Sequence, residues 1–215
     1  MNRIELAGVC FTYPGAVKPV FEDVSEQLES GDLIALYGAN GSGKSTLARL
    51  IAGLLNPVAG QISGLRDHGW NGVSLVMQEP SAQLLAGSVA EEIAWGLENL
   101  ALPQSEIARR VEWALDHFAL RSLAGVPPET LSDGQRQLVA IASALVMEPD
   151  FIIFDEATAF LDPYWRKRLW MEALSARKKC GVLWVTALLQ EARRSDEVWL
   201  LESGRLIRLS PIDLK

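Results

Sequence analysis

Residues Gly38-Ala39-Asn40-Gly41-Ser42-Gly43-Lys44-Ser45 follow the pattern G-x-x-x-x-G-K-[ST]. The pattern restricts the fold because its chemistry needs one setting, a loop between a strand and a helix. Glycines let successive backbone N–H groups turn inward around phosphate oxygens. The following helix aims its positive end at the same anion. Lys44 then reaches the β- and γ-phosphates, and the Ser45 hydroxyl is a ligand for Mg²⁺. The flanks comply: residues 33–37 are a short apolar run, and residues 45–55, with Thr46 in the first turn, read as a helix.

A second segment completes such a site. Residues 151–154 are fully apolar, as in a strand buried within a parallel sheet, and lead into Asp155 and Glu156. Asp155 is placed to hold Mg²⁺ through water, and Glu156 to orient or deprotonate the attacking water. Both segments fall at the carboxyl edge of one sheet, where open α/β sheets bind ligands.

Around these, residues 3–13 and 20–28 read as an antiparallel strand pair, and 73–77 and 182–186 as further strands. Residues 198–201 and 206–209 flank Ser203-Gly204 as a hairpin. Helical spacing marks 88–97, 105–118, 132–147 and 162–179, with Ile93 and Leu97, then Ile107, Val111 and Leu115, each on one face. The expected fold is α/β, a mostly parallel core with an N-terminal antiparallel β edge and a helical insert. The 215 residues suit a single domain, its core at about 1–78 and 149–215 and its insert at about 79–148.

The net charge of −7 argues against nucleic acid as a partner, since phosphate backbones reward Lys and Arg. Cys10 and Cys180 stand alone, so two buried thiols are expected rather than a disulfide or zinc site. The N-terminus carries no signal-peptide pattern. The longest apolar-and-small run, 138–147, is about half the ~20 residues that span a bilayer.

The segment Leu131-Ser132-Asp133-Gly134-Gln135 admits two compatible readings. Ser132 and Gln135 have the spacing of a capping box. The segment also resembles the L-S-G-G-Q signature of ABC ATPase subunits, with an acid in place of one glycine. The resemblance covers essentially the whole chain. It implies that Ser132, Gly134 and Gln135 meet the γ-phosphate held by an opposite subunit, and that Asp133 weakens closure. It also implies that Tyr13 stacks on adenine, the alternative being a core tyrosine. Gln78 is implied to sense Mg²⁺ and a transmembrane subunit, and Asp162 to contact the partner ATPase or simply cap a helix. The wording of 77–83 and 89–99 is similar to ATPases of energy-coupling factor and cobalt-type importers of vitamins or metal ions. Such a subunit is expected to be peripheral, on the cytoplasmic face of the membrane.

The family normally carries a histidine after the strand at 182–186. Here Ala187 stands there, and neither His68 nor His117 replaces it. Its loss implies slower hydrolysis with binding spared. Three explanations are open: a substitution introduced to trap a bound state, which is preferred; a natural weak site paired with a competent partner; or a member that tolerates the loss. The other readings kept open are a non-hydrolysing ATP-gated assembly module and a soluble ABC ATPase. A small-molecule kinase is disfavoured because it has no use for 131–135. The seven tryptophans are expected mostly in the core, with Trp95 a candidate for a membrane-subunit groove.

Overall fold

The computed structural model describes residues 2–66 and 70–214. His68 lies outside them. In chain order the elements are β1 (Arg3–Phe11), β2 (Phe21–Glu29), β3 (Leu33–Tyr37), α1 (Lys44–Ile51), β4 (Ala59–Ser63), β5 (Val73–Val76), α2 (Val89–Asn99), α3 (Gln104–His117) and α4 (Asp133–Val146). There follow β6 (Phe151–Asp155), α5 (Pro163–Ala176), β7 (Gly181–Thr186), α6 (Leu189–Ala192), β8 (Glu197–Glu202) and β9 (Arg205–Leu209). The chain forms two compact units: Met1–Leu75 with Asp150–Glu156 and Trp170–Lys215, and Val76–Pro149 with Ala157–Leu169.

The first unit carries two sheets. One has the order β2-β1-β4 and is antiparallel. The other has the order β5-β6-β7-β3-β8-β9. In it β6–β7, β7–β3 and β3–β8 are parallel, and β8–β9 is an antiparallel hairpin. Strand β3 shows why it lies in the middle. Ile34 and Leu36 join one core cluster with Leu47 and Ile51 of α1 and Leu183 and Val185 of β7. Ala35 and Tyr37 join another with Ala192 of α6, Val198 and Leu214. The period of two sends alternate side chains to opposite faces, and both faces are covered. Fully burying each Leu or Ile contributes about 1.5–3 kcal/mol.

The second unit is helical. Ser88 caps α2, accepting from Glu91 N at 3.3 Å. Ile93, Leu97, Ile107, Val111 and Leu115 are all buried. So is Glu92, whose carboxylate accepts from Leu85 N and Ala86 N, both at 2.8 Å, and so fixes the loop before α2. These two charge-assisted bonds satisfy a carboxylate that burial would otherwise penalise.

Two sequence expectations change. Only Trp170, Trp184 and Trp199 are buried, while Trp95 and Trp113 are 47% and 45% exposed, so the tryptophans are not mostly core. Trp95 lies on α2 and Trp113 on α3, each half-exposed. Cys180 is buried, and burial pushes its thiol up to about 11, but Cys10 is only partly buried.

Candidate nucleotide-binding site

The site of the first unit is built where β3, β7 and β6 end side by side. Strand β7 lies between the other two, with Tyr37 opposite Thr186 and Asp155 opposite Val185. The loop after β3 therefore opens toward the acids after β6. Gly43 turns the chain into α1 at φ 103°, where a Cβ would strike Val20 Cγ1 at 2.5 Å. No other residue type fits there.

Lys44 is 4% exposed and its Nζ donates to Gly38 O at 3.0 Å and Ala39 O at 3.1 Å. The same nitrogen lies 3.4 Å from Glu156 Oε1. Ser45 Oγ donates to Asp155 Oδ1 at 3.0 Å. Tyr13 Oη shares a hydrogen bond of 2.9 Å with Thr46 Oγ1, and its ring stands edge-on to Phe11. Tyr13 is 39% exposed, so it is not a core tyrosine. Ser42 Oγ is buried without a protein partner, inside the same loop as Asn40 and Gly41. Glu156 has φ 48°, a strained conformation for a side chain of this size, and its N–H donates to Val185 O at 3.0 Å. Strain of this kind gathers at functional positions.

Asp155 is 2% exposed. Burial pushes its carboxyl above the ordinary range; the bond from Ser45 opposes this, the neighbouring Glu156 charge adds to it, and Arg49 and Lys44 oppose it more weakly. A buried carboxylate beside a serine hydroxyl is a pair of hard oxygen donors, and a divalent cation there would relieve the charge penalty. The pair fits Mg²⁺, which takes one or two protein ligands and keeps the rest for phosphates and water.

Between these ends, β7 closes on a different kind of residue. Thr186 is 2% exposed; its Oγ1 donates to Glu191 Oε2 at 2.8 Å and accepts from Leu188 N at 3.0 Å. Trp184 Nε1 donates to the same Oε2 at 3.0 Å. The loop is thus fixed by a buried acid, and Ala187 extends from it with only a methyl group.

The second unit carries the remaining candidates. Ser132 caps α4, accepting from Gln135 N at 3.3 Å while Gln135 Oε1 accepts from Ser132 N at 3.0 Å, the complete capping box. A Cβ on Gly134 would stand 3.1 Å from Phe160 O, a tight contact. Asp133 pairs with Arg136 at 2.8 Å, and that guanidinium also donates to Pro128 O and Glu129 O. Gln78 is exposed just beyond β5. Its neighbour Met77 donates to Gln83 Oε1 at 2.7 Å and accepts from Gln137 Nε2 at 3.4 Å. Asp162 Oδ1 accepts from Trp165 N at 2.9 Å and caps α5.

A family model described as ABC transporter matches residues 21–159. An energy-coupling factor transporter ATP-binding protein of Lactobacillus acidophilus is 37% identical, covering 99% of this chain and 80% of its own length. The chain belongs to the ABC transporter family of ATPases. A similarly named protein of Caldanaerobacter subterraneus is 38% identical over 88% of this chain and 72% of its own. Among solved structures, one described as the ATP-binding subunit of an ABC transporter has TM-score 0.87 and 29% identity, over 98% of this chain and 90% of that one. Another, cbiO1 from Clostridium perfringens, part of the transporter complex cbiONQ, has TM-score 0.80 and 29% identity over 97% and 88%.

For an ABC ATPase, sequence reasoning missed Glu191, Gln83 and Gln137. Each holds a loop that bears a candidate: Glu191 the loop of Ala187, the two glutamines the segment of Gln78. The one available signal was an acid soon after the apolar run 187–189, and it does not name its partners.

Proposed function

We propose that this ABC ATPase is the ATP-binding and hydrolysing subunit of a membrane importer of the energy-coupling factor type, for a vitamin or a metal ion. The reading is supported most by one observation: Lys44 and Ser45, which open α1 after the glycine loop, are paired with Glu156 and Asp155 at the end of β6. Glycine-loop N–H groups and Lys44 bind the triphosphate. Ser45 and Asp155 would hold Mg²⁺, which would supply charge neutralisation to the bound triphosphate. Glu156 orients the attacking water, and its present contact with Lys44 passes to that water once the lysine turns to phosphate.

The whole chain acts as one ATPase domain, and two such domains pair head to tail. Each ATP lies between residues 38–46 of one and 131–135 of the other, with Tyr13 stacked on adenine. ATP closes the dimer and hydrolysis reopens it, a switch driven by differential affinity. The partner ATPase is either a second copy or a related chain. A transmembrane subunit forms the path, as the complex named for the cbiO1 neighbour supports; no helix among the described residues is long and apolar enough to cross a membrane. The chain then sits at the cytoplasmic face. Its docking groove is a depression of about 540 Å³ between α2 and α3, lined by Leu85, Ala94, Trp95, Ile107 and Val111. Replacing Trp95 with Ala is expected to weaken assembly with the membrane subunit, read by co-purification; unchanged assembly removes the groove from this role.

The central test is sedimentation of a Glu156→Gln variant with and without Mg-ATP. The reading predicts dimer with ATP and monomer without. A variant that stays monomeric with ATP, alone and beside its partner subunit, contradicts it. Ala187 favours a second reading, an assembly module that closes on ATP without hydrolysing it. The two are separated by turnover.

A further inference from the structure

Tyr13 and Thr46 make a contact that adenine stacking does not require. Thr46 is 7% exposed and lies in the first turn of α1, next to Ser45 and Lys44. A buried hydroxyl needs a partner, and in a phosphate-binding helix start that partner is naturally a phosphate oxygen. Here it is Tyr13 Oη at 2.9 Å. The phenol therefore stands at the mouth of the loop that must admit the triphosphate. Its ring is braced by Phe11, with centroids 4.9 Å apart and planes at 88°. Just after it the chain turns, Ala16 N donating to Tyr13 O at 3.0 Å, so the ring is carried at the root of a short exposed turn.

We infer that the Tyr13–Thr46 hydrogen bond is a latch on the nucleotide site, broken by each incoming nucleotide before the triphosphate can seat. The latch lets Tyr13 act twice. Its hydroxyl satisfies Thr46 while the site is open, and its ring is released to the base once phosphate oxygens take over Thr46. Only the unlatched fraction binds, so the apparent affinity is lower than that of the unlatched site by the same fraction. One neutral hydrogen bond of ordinary strength corresponds to about a threefold to tenfold effect. The inference needs only that the chain binds ATP, whatever it powers.

The decisive variant is Tyr13→Phe, which keeps the ring and removes the latch. Titration calorimetry with Mg-ATP should show about threefold to tenfold tighter binding than the parent chain. In a Thr46→Val background the same change should alter affinity by less than twofold, since the latch is already gone. Thermal melting without nucleotide confirms that each variant is folded, and Tyr13→Trp serves as a second latch-free ring should Tyr13→Phe fail to fold. Equal or weaker ATP binding by the folded latch-free variant overturns the inference. Tightening of the same size in the Thr46→Val background also overturns it, because the gain would not then run through Thr46.

Discussion

The three neighbouring strand ends of the nucleotide site differ in what they offer. The helix start that follows β3 and the end of β6 carry groups that already hold one another: Lys44 with Glu156, Ser45 with Asp155. Strand β7, between them, ends in Thr186 and is followed by Ala187. Its polar groups are spent on the buried carboxylate of Glu191, which serves the loop rather than a ligand. On the proposed reading, the flanking ends bind the nucleotide and activate water. The middle end is built with equal care yet presents a methyl group. The contrast separates two tasks that usually travel together, holding a nucleotide and completing its hydrolysis.

Removing charge from the flanking ends should have the largest effect. Glu156→Gln is expected to lower steady-state ATP turnover by about 10²–10⁴-fold, the usual worth of a positioned general base. ATP affinity should change little, as read by calorimetry in parallel. If turnover were unchanged, the water-activating role of the β6 end would be lost and the contrast with β7 would collapse.

The loop after β7 is next. Glu191→Ala leaves Trp184 Nε1 and Thr186 Oγ1 without their buried acceptor. Each unsatisfied group costs about 1–3 kcal/mol, and about 1 kcal/mol moves Tm by about 2–4 °C in a chain of this length. Melting should therefore fall by roughly 4–24 °C. A change below about 2 °C would mean that the loop is not held as described.

The smallest effect sharpens the description of the β6 end. Asp155 has its carboxyl raised by burial first, and by Glu156 in addition. A raised acid favours the protonated form in the folded state, so its contribution to stability is present below the ordinary value of 3.8 and is lost as pH rises through the raised one. Without Mg²⁺, Asp155→Asn should melt a few degrees above the parent chain at neutral pH, with the gap closing near pH 4. With Mg-ATP the order should invert, because the variant lacks an anionic ligand.

Much of this was legible in the sequence because it rests on local rules. The glycine loop, the apolar strand before it and the strand ending in Asp155 and Glu156 each announce themselves through spacing and hydropathy. So does Ser132, whose capping-box spacing with Gln135 lies where α4 begins. What escaped depends on neighbours brought in by tertiary structure. Strand β4 has the sequence AGQIS, with no buried face to impose alternation, and it forms because β1 offers an open edge. Helix α6 is four residues long, too short for a periodic signal. Glu191, Gln83 and Gln137 are ordinary polar residues in sequence and become informative only through the backbone groups and side chains they reach.

The most direct measurement is steady-state Mg-ATP hydrolysis by the purified chain beside an Ala187→His variant. The account predicts that histidine raises turnover at least tenfold, because the ends of β3 and β6 are competent and the end of β7 lacks only a side chain. Equal turnover by both proteins, with ATP binding intact, would contradict it and place the missing component outside this chain.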